Sequence, residues 1–388
     1  MSLLRSARFP AVILLAAAAL GLILANSPAH ETVDAIKHTS VGIPGVIELD
    51  IGHWIADGLL AIFFFVVAVE LQYELTSGQL NSTRRALRPA IAAAGGVLVP
   101  IGVYLLFAAG SDAVAGWPIP TATDIAFALG VLAVFGTGLP PALRIFLLAL
   151  AILDDIVGIV LIAVLFTGDV DFMMLGFALI GVVLFRVFSR YLDTKVRALA
   201  AVGVVVVAVL TWYFVYRSGV HATIAGVALG LVMMQQPALR ARHALEPWVN
   251  AVVLPLFAFS SASVAIPAVS MGEISPAFWG IVVGLPLGKI VGIAVAGWIS
   301  QRVGPHDESA PPLPAGDLLA AGALGGIGFT VSLLLSELAF AGTPEIRDEA
   351  TLGVLAGSMI ALVLSGILVS WRARHYRRLA PEPGDAAG

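Results

Sequence analysis

The sequence predicts an all-α polytopic membrane protein of twelve transmembrane helices, with inverted repeats (spans 3–5 and 10–12) and two broken helices (spans 4 and 11). Three observations carry this. The residues are 59% hydrophobic and 12% charged, about half the charged share of a soluble domain. Apolar runs of about 20 residues, the length that crosses a bilayer, recur between turn and charge signals. Two of those runs, one in each half of the chain, are interrupted by clustered proline or glycine.

The runs lie at 9–26, 55–76, 88–109, 118–136, 143–167, 172–191, 198–216, 219–235, 248–267, 277–301, 317–340 and 350–371. The first follows Arg5 and Arg8 and resembles a signal peptide. The rest of the chain is itself polytopic, so it reads as an uncleaved first membrane helix. Between spans 1 and 2, the alternation of Thr39–Ile51 around Pro44-Gly45 predicts a small hairpin, with a plain loop as the other reading. An exposed hairpin edge at 37–53 would serve as the contact of a homodimer. Threaded in alternation, all of the 21 Lys and Arg except Lys37, Arg217, Arg347 and Lys289 fall on one side. That places both termini of the multi-pass chain in the cytoplasm. The chain is expected to form a single transmembrane domain over 1–388. Its core module covers about 88–167 and 277–371, and its interface or panel spans about 9–76 and 172–267. The segments 304–314 and beyond Arg378 read as polar linkers.

The interrupted spans are specific. Span 4 opens with Trp117-Pro118-Ile119-Pro120-Thr121-Ala122-Thr123-Asp124, and span 11 contains Gly322-Ala323-Leu324-Gly325-Gly326-Ile327-Gly328-Phe329-Thr330. Proline and clustered glycine weaken helices. Irregular backbone at membrane depth persists only where protein or a water cavity satisfies it. Interrupted segments at corresponding positions of two repeats point to a transporter site. Close helix packing is the competing explanation for the glycines Gly325, Gly326 and Gly328.

The chemistry concentrates in a few residues. Asp154 and Asp155 sit inside the apolar run 143–166, where each carboxylate costs roughly 2.5–3.5 kcal/mol on the insertion scale. Neighbours on a helix point about 100° apart, so one should face an ion path and the other an adjacent helix. Lys289 is the basic residue well inside a span, and its expected partner is Asp154 or Asp124. Thr123 and Asp124 stand where span 4 breaks. Asp124 is placed to compensate helix ends there, and Thr123 to offer a cation an oxygen. Glu70 and Glu74, one turn apart at the end of span 2, form a carboxylate stripe for attracting cations or responding to pH, or else a solvated helix end. His221 titrates near neutrality when exposed, though a lone histidine is more often a satisfied core residue. With no cysteine in the chain, disulfides and thiolate metal sites are excluded. Nothing resembles a nucleic-acid-binding face.

Six stretches in order, Ala122–Gly130, Leu150–Asp155, Gly219–Thr223, Leu254–Phe259, Gly288-Lys289 and Gly325–Thr330, resemble the NhaA-type bacterial sodium/proton antiporters from end to end. The resemblance implies a fold in the bacterial inner membrane, with spans 4 and 11 unwound and crossing near its middle. It implies that Asp155 and Asp154, with Thr123, bind the transported cation (the metal here) and the proton, and that Asp124 and Lys289 balance charge at the crossing. Glu70, Glu74 and His221 fall in the pH-responsive region. It further implies electrogenic exchange of sodium or lithium for protons, strongest at alkaline pH, with no cofactor beyond the transported ions and no enzymatic activity. The chain departs from the family at Gln72-Tyr73 (usually basic), at Arg242 (commonly acidic) and at Ser260–Ser263. A sodium-coupled organic-anion symporter on the same scaffold is the second reading. An intramembrane aspartyl protease would need its two carboxylates on facing helices, and these two are sequence neighbours.

Overall fold

The computed structural model describes residues 8–78, 80–167, 170–266, 274–303 and 312–379. The expected linkers at 304–314 and after 378 lie largely outside them, as does Arg5. In chain order the elements begin with α1 (Arg8–Ala25), α2 (His30–Lys37), β1 (Ser40–Ile43), β2 (Ile47–Asp50), α3 (Ile51–Thr76) and α4 (Thr83–Ala108). Then come α5 (Ile125–Phe135), α6 (Pro141–Leu165), α7 (Phe172–Arg190), α8 (Arg197–Arg217), α9 (Thr223–Val232) and α10 (Gln235–Ala262). The chain finishes with α11 (Pro276–Arg302), α12 (Ala315–Gly325), α13 (Phe329–Ala339) and α14 (Pro344–Leu379).

Eight of these helices are long and apolar enough to cross a bilayer, or up to eleven among the described residues if each bent pair is one crossing. The bent pairs are α1–α2 (114°), Asp112–Thr121 with α5 (45°) and α12–α13 (49°). The remaining expected span, 219–235, contains the 10-residue α9. At 1.5 Å per residue it covers about 15 Å, half of a hydrocarbon core of about 30 Å, so the structure does not reach twelve crossings on length.

Other local differences have identifiable causes. The predicted spans leave 236–247 as a connection, but that stretch is helical and forms the first half of α10. Pro247 lies inside the helix and the chain continues through a π-helical turn at Val249–Val253. Proline removes an N–H and crowds the preceding carbonyl; a wider turn absorbs both defects. A second π turn, Gly284–Gly288, contains Pro286 and ends immediately before Lys289. The hairpin forms, with Ser40 opposite Asp50 and Ile43 opposite Ile47. Gly45 at its tip has φ +76°, a left-handed conformation that glycine adopts without strain.

The described chain divides into two compact units. The first holds Ile13–Asn81 and Val157–Ala265. Val69, Phe185, Val207, Leu229 and Ala238, from α3, α7, α8, α9 and α10, form an apolar cluster there with Met233, just past α9. The short α9 ends inside this unit. Gln72 Nε2 donates to Leu231 O (2.6 Å) and Met233 O (2.9 Å), and Arg186 Nη1 to Val232 O (2.7 Å). These bonds supply the carbonyls that a helix C-terminus leaves open.

The second unit holds Ser82–Ile156 and Ile266–Gly388, and its boundary falls within α6. In it α4 and α11 meet backbone to backbone. A Cβ on Gly95 or on Gly292 would fall inside contact distance of the other's carbonyl oxygen. That approach brings the middle of α11, and Lys289 with it, close to Gly96.

Candidate functional site

In the second unit the two helix breaks meet. Ala122–Asp124 is non-helical, as is the stretch between Gly326 and Gly328, and Asp124 N donates to Ile327 O across them (2.6 Å). Asp124 then caps both half-helices. Its Oδ1 accepts from Ala126 N (3.1 Å) and Phe127 N (3.2 Å) at the start of α5. Its Oδ2 accepts from Thr330 N (3.2 Å) and Thr330 Oγ1 (2.7 Å) at the start of α13. A single carboxylate thus faces two helix N-termini, each equivalent to roughly half a positive charge. Thr330 went unassigned in the sequence reading. Its place two residues past the Gly325–Gly328 run, in the first turn of a half-helix, is the available signal.

On the other side of Asp124, Lys289 has found one of its two candidate partners. Its Nζ donates to Asp154 Oδ2 (2.6 Å) and to Thr123 Oγ1 (3.1 Å), and both charged side chains are wholly buried. Thr123 Oγ1 is also 2.8 Å from both Asp154 Oδ2 and Gly325 O. A hydroxyl has one proton to give, so Thr123 accepts from Lys289 and donates to one of those two oxygens at a time. The carbonyl at the end of α12 is thereby wired to the ion pair. Asp154 Oδ1 is buried with no hydrogen-bond partner among the described residues. Asp155 differs from its neighbour: it is half-buried, and among the described residues it makes no hydrogen bond or ion pair. The charged groups around it are Asp154, Asp124 and Lys289. One aspartate is wholly buried and the other half-buried, consistent with side chains that point about 100° apart.

Among the described residues no three His, Cys, Asp or Glu side chains gather to hold a metal. A hard cation at this place would therefore draw on carboxylate, hydroxyl and carbonyl oxygens together, a donor set that suits it.

The other expected residues belong to the first unit and make pairs of their own. Glu70 is ion-paired with Arg242, so the residue that departs from the family pattern is the one that engages the glutamate. Glu74 is buried rather than part of an open, solvated stripe. His221 places Nε2 3.3 Å from Asp57 Oδ1 and Nδ1 2.7 Å from Thr223 Oγ1. Asp57 lies in a π-helical turn of α3, where Trp212 Nε1 donates to its carbonyl (2.9 Å). The sequence reading passed over Asp57, although an acid near the start of an apolar run was a signal of the kind that revealed Asp154.

Apolar helices bent at two facing breaks, with ionisable groups sealed between them, define a multi-pass membrane protein of the secondary-transporter class. A sequence model of the family described as Na+/H+ antiporter 1 matches residues 1–369. The chain is 53% identical to the Na(+)/H(+) antiporter NhaA 2 of Clavibacter michiganensis subsp. michiganensis, over 99% of this chain and 95% of the relative. It is 46% identical to the Na(+)/H(+) antiporter NhaA of Tropheryma whipplei (strain TW08/27), over 99% of both. It is 42% identical to the NhaA of Streptomyces antibioticus, over 98% of this chain and 80% of that one. The chain belongs to the Na+/H+ antiporter 1 family.

Proposed function

We propose that this protein is an electrogenic antiporter that expels sodium or lithium in exchange for protons, by competition of cation and proton for Asp155 and Asp154. The observation that carries the reading is the contrast between Asp154, locked to Lys289, and Asp155, half-open and without a partner among the described residues. An incoming sodium ion takes oxygens of Asp155, with Thr123 Oγ1 and the unbonded Asp154 Oδ1 within the same group of side chains. The cation displaces a proton. Lys289 releases its hold on Asp154 and gives up a proton as that pair breaks. The core module then rocks, the cation leaves outside and protons replace it. Each net charge carried inward is worth about 2.3 kcal/mol per 100 mV, which lets the membrane potential drive sodium out.

Competition of this kind favours activity at alkaline pH, where protons are scarce. The Glu70–Arg242 and His221–Asp57 pairs, together with Glu74, support a pH response of the first unit. The one-sided distribution of Lys and Arg supports an inner-membrane protein with both termini cytoplasmic. The names of the relatives favour this reading over an organic-anion symporter.

In everted vesicles, sodium should dequench a pH dye held on the acidified side, more strongly as pH rises, and clamping the potential should change the rate. Asp155→Asn should abolish the signal at normal expression. Near-normal dequenching by that variant would refute the site.

A further inference from the structure

We propose that α14 is the strut that sets the distance between the two halves of the broken α12–α13 pair, through Asp317–Arg372–Tyr376 at one end and Ser358 at the other. Arg372 Nε donates to Asp317 Oδ1 and Tyr376 Oη to Asp317 Oδ2, both at 2.6 Å. Asp317 is fully buried and Arg372 nearly so. Gly316 makes room for the arginine, since a Cβ there would lie 2.9 Å from Arg372 Cδ. Fourteen residues earlier on α14, Ser358 Oγ accepts from Phe329 N (3.1 Å), the first N–H of α13. The two grips are about 21 Å apart along a continuous helix. Each holds one of the half-helices, α12 by its first turn and α13 by its first N–H.

The transport reading uses none of these groups. Close packing of α12 on α14 needs only apolar side chains, whereas a buried ion pair carries a desolvation cost and is best attested where it fixes register. What it fixes here is the height of α12. From Asp317 to Gly325 the helix runs about 12 Å as a rigid rod, and its last carbonyl, Gly325 O, meets Thr123 Oγ1. A half-turn slip of α12 on α14 would carry that carbonyl away from Thr123. Asp317, Arg372 and Tyr376 are therefore positioning residues, acting on the cation through the spacing of the break. The proposal rests on the cation-site reading above, because Thr123 and Gly325 matter to transport only there.

The test uses the full chain in proteoliposomes, with hydrogen exchange as a second readout. Asp317→Leu with Arg372→Leu should keep the protein folded and accelerate amide exchange in 315–325 tenfold or more. It should also raise the apparent KM for sodium and for lithium several-fold and alter their ratio. Arg372→Lys should restore part of both effects. Tyr376→Phe, which removes one hydrogen bond, should shift the KM ratio in the same direction by less, and it remains decisive if the double variant does not fold. Ser358→Ala should alter the ratio while leaving exchange in 315–325 unchanged. Unaltered KM values and ratio in the double variant and in Tyr376→Phe would overturn the proposal, whether or not α12 loosens. If Asp155→Asn still exchanges ions, the site reading fails on its own, while accelerated exchange in 315–325 would still show the grip on α12.

Discussion

Lys289 and Asp154 share a burial that neither tolerates alone. Removing one partner of a buried ion pair leaves the other charge uncompensated, which costs about 3–5 kcal/mol, whereas replacing both with less polar groups is close to neutral. Lys289→Ala should therefore lower the thermal unfolding temperature in detergent by many degrees. Asp154→Asn combined with Lys289→Met should recover most of the loss while remaining transport-dead. An equally unstable double variant would mean that the pair is not the source of the stability. At this scale the sequence exposed the ionisable residues, because charge in an apolar run is conspicuous. It left the pairing of Lys289 open between Asp154 and Asp124, since both lie within plausible reach. It hid Asp317–Arg372 altogether, because Arg372 reads as one more basic residue at the end of a span.

Helix termini and close approaches decide how the elements join. The contact between Gly95 on α4 and Gly292 on α11 leaves no room for a side chain. Gly292→Val must force the helices apart, with an overpacking cost of about 1–3 kcal/mol or more. The variant should lose stability in detergent, and an unchanged unfolding temperature would exclude the backbone-to-backbone packing. At the start of α3, Asp50 accepts from His53 N (2.7 Å) and lies 2.8 Å from the His53 ring nitrogen. Burial pushes its carboxyl up, but these hydrogen bonds and the charges of His53 and His38 outweigh burial and hold it below its ordinary value. A lowered carboxyl pKa stabilises the fold above the unfolded value of about 3.9 and loses that contribution as pH falls through the folded value. Protection of the His53 amide, corrected for intrinsic exchange, should hold at neutral pH and vanish only below about pH 4. The hairpin and both breaks were legible from Pro44-Gly45, Pro118–Pro120 and the Gly322–Gly328 run, since proline and glycine act through local backbone sterics. The π turns after Pro247 and around Pro286 were not, because whether a proline ends a helix or widens it depends on packing around it.

For the whole molecule, we propose that the exposed β1 strand, an edge of the two-stranded sheet, is where a second copy of the chain docks. Deleting 41–48 should convert a homodimer into a monomer in light scattering of the detergent-solubilised protein while leaving exchange measurable. A full-length protein that is already monomeric would remove the hairpin as a dimer contact.

The sequence by itself determined that the chain belongs in a bilayer, that two of its helices break, and that two adjacent aspartates and a lysine lie inside apolar runs long enough to span one. Those conclusions need only hydropathy, backbone sterics and the cost of charge in lipid, all of which are local. The tertiary structure alone decided that Asp124 caps two helices at once, that Asp154 is sealed against Lys289 while Asp155 is half-buried, and that α14 touches both halves of the broken pair. Each of these depends on which residues distant in sequence come within hydrogen-bonding reach, and only the packed chain sets that distance.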